Sequence, residues 1–178
     1  MFKVFILNGQ GKSGKDTFYN IISQYDQALY DNIRMTKTSM IDRTKEIAQR
    51  CGWHGGKDLK DREFLFNLKQ LLSTYNDLPY FTTKTTINYF KNSLNLPFVF
   101  VDAREAKDID RLKKDFPCTT ILIKRGDSKI FNNPADDDVL NYTYDYVVEN
   151  NGSLEDFKET CHTFWNAILN EFDILPKV

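Results

Sequence analysis

The chain has 178 residues, 41% of them hydrophobic, 28% charged and 14% aromatic, with a formal net charge of -1. That composition describes a globular domain. It excludes a protein that wraps nucleic acid, which needs a marked basic excess, and no apolar run approaches the roughly 20 residues of a membrane span.

The opening segment FKVFILN is strand-like and lacks the layout of a signal peptide. The three cysteines, Cys51, Cys118 and Cys161, are odd in number and scattered, which argues against a disulfide framework or a zinc site. A reduced, cytoplasmic setting is expected. No repeats, low-complexity tracts or linker stand out, so residues 1–178 are read as one domain.

Phe2 to Leu7 reads as a buried strand ended by Asn8-Gly9. Gly14 to Tyr25 has helical spacing, with Phe18, Ile21 and Ile22 on one face. Ile33 to Thr38 reads as a second strand, followed by a helix capped by Ser39 and running to Arg50. Two further helices are expected over Asp61 to Tyr75 and about Thr82 to Leu94. The run LPFVFVD gives a buried strand from Phe98 to Val101 that closes on Asp102. A helix over Ala106 to Asp115 and a strand over Thr119 to Ile123 come next. The stretch from Gly126 to Tyr142 lacks a period and reads as a loop or lid. YDYVVEN is a last strand, and Ser153 caps a closing helix. Strands alternating with helices imply parallel strands covered on both faces.

The chemistry concentrates between the first strand and its helix. Gly9-Gln10-Gly11-Lys12-Ser13-Gly14-Lys15 satisfies G-x-x-x-x-G-K in the required strand-to-helix context. Glycines let successive N–H groups curl around phosphate oxygens, the helix N-terminus adds partial positive charge, and Lys15 reaches the β- and γ-phosphates. A hydroxyl residue normally follows that lysine, but here Asp16 does. A carboxylate beside a triphosphate calls for Mg2+ between them, with the Thr17 hydroxyl reaching a phosphate; the alternative is a first-turn acid that merely favours the helix. Asp102 is either a strand-end carboxylate facing the phosphate loop or the cap of the following helix.

The segment GKSGKDT resembles the variant phosphate loop of phage deoxynucleoside monophosphate kinases and animal-type phosphomevalonate kinases. The blocks VFVDAREAKDIDRLKKDF and DYVVENNGSLEDF follow in the order those families show. The resemblance implies an α/β, three-layer α/β/α P-loop NTPase fold with a parallel sheet of about five strands. It implies ATP and Mg2+ as cofactors, a helical acceptor-binding region at about 39–95 and a lid at about 126–142.

Gly9, Gly11, Lys12, Ser13, Gly14, Lys15, Asp16 and Thr17 would then hold the nucleotide phosphates. Asn151 and Gly152 would lie against the donor base. Asp16 and Asp102 would manage the metal, and Lys15, Asp102, Arg104 and Arg125 would serve the transfer. Arg62, with Arg43 beside it, would bind the acceptor phosphate. Trp53, Tyr75 and Tyr80 are open between base stacking and core or rim packing, and His54 and His162 offer no catalytic pairing. The lid is poor in arginine and carries the acidic run Asp136 to Asp138.

The expected function is transfer of the ATP γ-phosphoryl group to a small phosphorylated acceptor, first a nucleoside or deoxynucleoside monophosphate. A non-nucleotide phosphate such as phosphomevalonate, or a nucleotide-binding regulatory role without transfer, are the alternatives. The expected partner is the small-molecule acceptor, without nucleic acid or membrane, in a monomer or homodimer.

Overall fold

The computed structural model describes residues 1–126 and 139–173. Eleven elements follow in chain order: β1 (Lys3–Asn8), α1 (Lys15–Tyr30), β2 (Met35–Ser39), α2 (Asp42–Arg50), α3 (Leu59–Asn76), α4 (Leu78–Asn92), β3 (Phe98–Asp102), α5 (Ala106–Asp115), β4 (Cys118–Lys124), β5 (Tyr146–Glu149) and α6 (Leu154–Glu171). The five strands form one parallel sheet in the order β2-β3-β1-β4-β5. The α/β fold with five parallel strands is the one expected from the alternation of elements.

Side-chain alternation along the central strands builds two different cores. Phe5 and Leu7 of β1 and Phe98 and Phe100 of β3 face α1 and α6, where Phe18, Ile22, Phe157 and Trp165 complete an aromatic layer. Phe5 stacks on Phe100 at 4.9 Å, and Trp165 meets Phe98 edge-on at 5.2 Å. The intervening residues Val4, Ile6, Val99 and Val101 face Tyr80 and Ile87 of α4 and Ile109 and Leu112 of α5. Period-two strands that are apolar on both faces are what a covered parallel sheet requires.

The element boundaries depart from the sequence reading for local reasons. Helix α3 starts two residues before Asp61 because Asp58 is its cap: the Asp61 N–H donates to Asp58 Oδ1 at 2.8 Å and the Asp58 N–H to Asp61 Oδ2 at 3.3 Å. Helix α4 starts at Leu78, not Thr82, since Pro79 falls in the first turn, where a missing N–H costs nothing. Helix α1 continues five residues past Tyr25, to Tyr30, and its Asp26 is a buried partner of the Trp165 indole N–H, at 2.9 Å. Ser39 is the last residue of β2 and does not cap α2, whose N-cap is Ile41. None of the described helices is long and apolar enough to cross a membrane.

Candidate active site

Residues 9–14 turn the chain from the carboxyl end of β1 into α1. The turn is fixed by space as much as by conformation. A Cβ at Gly9 would lie 2.5 Å from the Ile123 carbonyl oxygen, and one at Gly14, where φ is +103°, would lie 2.5 Å from Asn150 Nδ2. Lys12 also takes a positive φ of 65°. Gly11 and Ser13 are buried, whereas Lys12 and Asp16 face solvent. Lys15 opens α1 and reaches back over the loop, donating to the Gly9 carbonyl at 2.6 Å and the Gln10 carbonyl at 3.4 Å. The Gly14 N-cap supplies no side-chain cap, so the first-turn N–H groups of α1 remain available to an anion.

Two asparagines that the sequence reading missed hold this loop in place. Asn8 is fully buried; its Oδ1 accepts from the Gly9 N–H at 2.8 Å, and its Nδ2 donates to the Arg104 carbonyl at 3.1 Å and the Tyr144 hydroxyl at 2.7 Å. Tyr144 donates in turn to the Val139 carbonyl at 2.8 Å. Asn150 at the end of β5 donates to the Ser13 carbonyl at 2.9 Å. Its neighbour Asn151 does something else: its Oδ1 accepts from the Gly126 N–H at 2.8 Å, tying the exit of β4 to the exit of β5. Gly152 is exposed and close to Asp156, the third residue of the α6 capping box.

Asp16 and Asp102 come together at one cation. Asp102 has the same parity along β3 as Phe98 and Phe100 and so faces α1. What joins the two carboxylates was not anticipated. Lys37, in the middle of β2, donates to Asp16 Oδ1, and its Nζ lies 3.3 Å from Asp102 Oδ2. The side chain also passes Tyr19, 5.5 Å from the ring centre. A lysine interrupting Met35, Lys37 and Ser39 on the sheet face packed by α1 is the signal that would have revealed it.

Unequal exposure makes the two carboxylates unequal. The hydrogen bond from Lys37 holds exposed Asp16 below the usual carboxylate pKa. Burial pushes Asp102 up, against the attraction of Lys37 and Lys15. Burial also opposes the charge on Lys37, but its hydrogen bond to Asp16 and the attraction of Asp102 outweigh it and raise its pKa. Asp102 Oδ1 is buried without a hydrogen-bond partner among the described residues. Two carboxylates reaching one cation, one of them with an oxygen to spare, are a donor set that fits Mg2+. Among the described residues no cluster of three or more His, Cys, Asp or Glu side chains forms an all-protein metal cage.

Beside this pair, between β2, α2 and α4, lies a cavity of about 260 Å³ lined by Lys37, Thr38, Ser39, Asp42, Arg43, Glu46, Thr82, Thr83, Thr86 and Phe90. Its walls are mainly hydroxyls and charges, with one aromatic ring. Asp42 is fixed by the Ser39 N–H at 2.7 Å and the Thr38 hydroxyl at 3.2 Å, and Arg43 pairs with Glu46 at 2.7 Å. Arg43 thus reaches the cavity. Arg62 is not among its lining residues; its Nε donates to the Lys57 carbonyl at 3.0 Å at the start of α3.

The aromatic candidates also lie elsewhere. Tyr80 is buried, donating to Asp115 at 2.8 Å beneath the Arg111 guanidinium, and Tyr75 is exposed. His162 stacks on Tyr25 at 4.0 Å, on the opposite side of the sheet from the cavity. Arg104 lies on the loop after β3 and Arg125 is exposed just after β4. Of the lid, residues 127–138, with Lys129 and Asp136 to Asp138, lie outside the described residues.

The region around the cavity is tied to the loop after β3 by ion pairs. Lys69 of α3 is buried and donates to Glu105 at 2.6 Å and Asp108 at 2.8 Å. Arg111 of α5 makes a two-pronged pair with Asp77, at the junction of α3 and α4. Lys69 follows Leu65 by four residues on the inward face of α3, a break in an apolar face that sequence reading passed over.

No protein-family model matches the chain, and no curated protein matches it. Among solved structures it is similar to a thymidylate kinase from Ehrlichia chaffeensis, with 14% identity over 94% of this chain and 100% of that one and a TM-score of 0.50. It is also similar to a dephospho-CoA kinase from Campylobacter jejuni, with 16% identity over 94% of this chain and 98% of that one and a TM-score of 0.53. The fold is that of the P-loop kinases. The glycine loop and Asp102 both lie at the carboxyl ends of the parallel strands, where ligands of open α/β sheets bind.

Proposed function

We propose that this chain transfers the γ-phosphoryl group of ATP to the phosphate of a small acceptor. The observation that carries the reading is the joint placement of the Gly9–Lys15 loop and the Asp16–Asp102 pair beside a polar cavity able to hold that acceptor. An oxygen of the acceptor phosphate forms the new bond to the γ-phosphorus while the β,γ-bridging P–O bond breaks, leaving ADP and a diphosphorylated product. Little covalent chemistry falls to the protein; it positions the groups and neutralises charge.

Lys15 exchanges the Gly9 and Gln10 carbonyls for β- and γ-phosphate oxygens, and the N–H groups of the loop and first turn of α1 hold the remainder. Asp16 and Asp102 would hold Mg2+, which would offset the negative charge of the phosphates. Arg104 and Arg125 flank the reacting phosphates from the exits of β3 and β4, and Arg43 serves the acceptor.

A nucleoside or deoxynucleoside monophosphate is the first acceptor class, in keeping with the thymidylate kinase among the structural neighbours. A non-nucleotide phosphate is favoured by a different observation: among the described residues Phe90 is the one aromatic residue of the cavity wall, so no pair of described rings sandwiches a base. Coupled-assay ATP turnover with Mg2+, run over all nucleoside and deoxynucleoside monophosphates and over phosphomevalonate, separates these. Turnover that depends on one acceptor supports transfer and names the class. ATP binding without acceptor-dependent turnover overturns transfer in favour of a regulatory nucleotide-binding role.

A further inference from the structure

Helix α3 carries more apolar surface than the described residues cover. It packs on α2 and α4 with Leu65 and Lys69 turned inward. Along another face run Phe64, Leu68, Leu71 and Tyr75, spaced four, three and four residues apart. Leu68 is half-buried, but Phe64 is 38% exposed, Leu71 66% and Tyr75 83%. Phe81, one turn into α4, is exposed as well. A surface helix ordinarily has one apolar stripe and covers it. The alternation of four and three, about 3.5 residues on average, is the spacing at which one helix meshes with another of its own kind.

The charges of α3 say which partner fits. After Glu63 the helix has one charged residue, Lys69, which is buried with Glu105 and Asp108. On the solvent flank of the stripe stand Asn67, Gln70 and Thr74, exposed and uncharged. Such a face has nothing to match an acidic or a basic partner. It also has nothing to repel its own copy when a two-fold axis sets it against itself. An apolar centre rich in aromatic rings, free of charge and rimmed by polar groups, is the make-up of a protein interface. Phe64, Leu71, Tyr75 and Phe81 present roughly 500 Å² per copy, and the polar flank brings the patch toward the roughly 800 Å² that each partner of a specific interface buries. We propose that two copies of this chain associate through α3, the Phe64–Tyr75 stripe of one packed on that of the other. The inference stands apart from the reading of the phosphate site.

Sedimentation velocity of the whole chain, from about 1 to about 100 µM, tests it. Wild-type protein should form a species of twice the 20.9 kDa chain mass. Leu71 lies near the middle of the stripe, beside the axis. Leu71→Glu and Leu71→Lys should therefore each raise the dimer dissociation constant at least about tenfold, because like charges then meet. An equimolar mixture of the two variants should recover dimer, because unlike charges then meet. Leu154→Glu, at a similarly exposed leucine that opens α6, should leave the dimer unchanged. Circular dichroism establishes that each variant is folded, and the wild-type mass is read whether or not it is. A wild type that stays monomeric at the highest concentration overturns the proposal; if that monomer then sediments with phosphatidylcholine vesicles, the stripe belongs to a membrane surface instead. A dimer that both Leu71 variants leave intact uses another face and overturns it too, as does a mixture no more dimeric than either variant alone.

Discussion

The two sides of the proposed site, the loop that would take the donor and the cavity that would take the acceptor, are built by different means. On the donor side, the glycine loop is held by contacts that leave almost no room for another backbone path: Gly9 against β4, Gly14 against Asn150, and the aromatic layer of α1 and α6 beneath. On the acceptor side, α3 and α4 are anchored to α5 by long side chains, through Lys69 with Glu105 and Asp108, and Arg111 with Asp77. Phe64, Leu71, Tyr75 and Phe81 of the same helices remain exposed. A phosphate chain is the same in every nucleotide, so its cradle is set by backbone geometry. In the proposed reading the acceptor varies, and ion pairs hold α3 and α4 without lining the cavity wall.

The sharpest way to break this contrast is on the donor side. Lys15→Ala removes the cation that reaches the transferring phosphoryl group and should lower kcat by roughly 10²–10³-fold, read by single-turnover phosphoryl transfer. Retention of wild-type kcat would end the phosphate-cradle account.

The largest stability effect belongs to the acceptor side. Lys69→Met leaves the Glu105 and Asp108 carboxylates without their buried cation and should cost about 3–5 kcal/mol in urea unfolding. A loss under about 1 kcal/mol would mean that the ion pairs do not anchor α3. Asn150→Ala, on the donor side, leaves the Ser13 carbonyl unmatched and should cost about 1–3 kcal/mol, with a higher KM for ATP. An unchanged KM would separate the asparagine from the loop it touches.

Arg43→Ala should raise the acceptor KM by about tenfold, close to 1.4 kcal/mol, with little change in the KM for ATP. Arg62→Ala tests the same comparison, since Arg62 does not line the cavity and should change the acceptor KM far less. The reverse ranking would move the acceptor toward the start of α3.

Acid should act most gently, and first on the acceptor side. Arg111 holds the Asp77 pKa below the usual value, and Lys84 and Tyr80 do the same for Asp115. Carboxylates depressed in the folded state contribute stability that is present above about pH 4 and lost as pH falls through their lowered native values. Asp26 and Asp102 are raised by burial and contribute the opposite slope, since the folded state takes up their protons first as pH falls. Amide exchange between pH 4.5 and 3 should therefore accelerate in α4 before α1, and Asp77→Asn should flatten that dependence. Simultaneous loosening of both helices would show that the two sides are not held separately.

Much was legible in order along the chain. The glycine turn after β1, the parallel sheet and every described strand follow from local spacing, because a glycine pattern and an apolar period each state their requirement within a few residues. Helix starts were less legible at Asp58 and Pro79, where two features compete for one boundary. What only the tertiary structure decided are the long-range polar partners. Lys37 spans to Asp16 and Asp102, Lys69 to Glu105 and Asp108, Asn150 to Ser13, and Asn8 to Arg104 and Tyr144. A buried charge or amide must find a partner, but the sequence does not say which of many distant groups supplies it. Strand order and helix packing make that choice, and through it they set which residues bound the cavity between β2, α2 and α4.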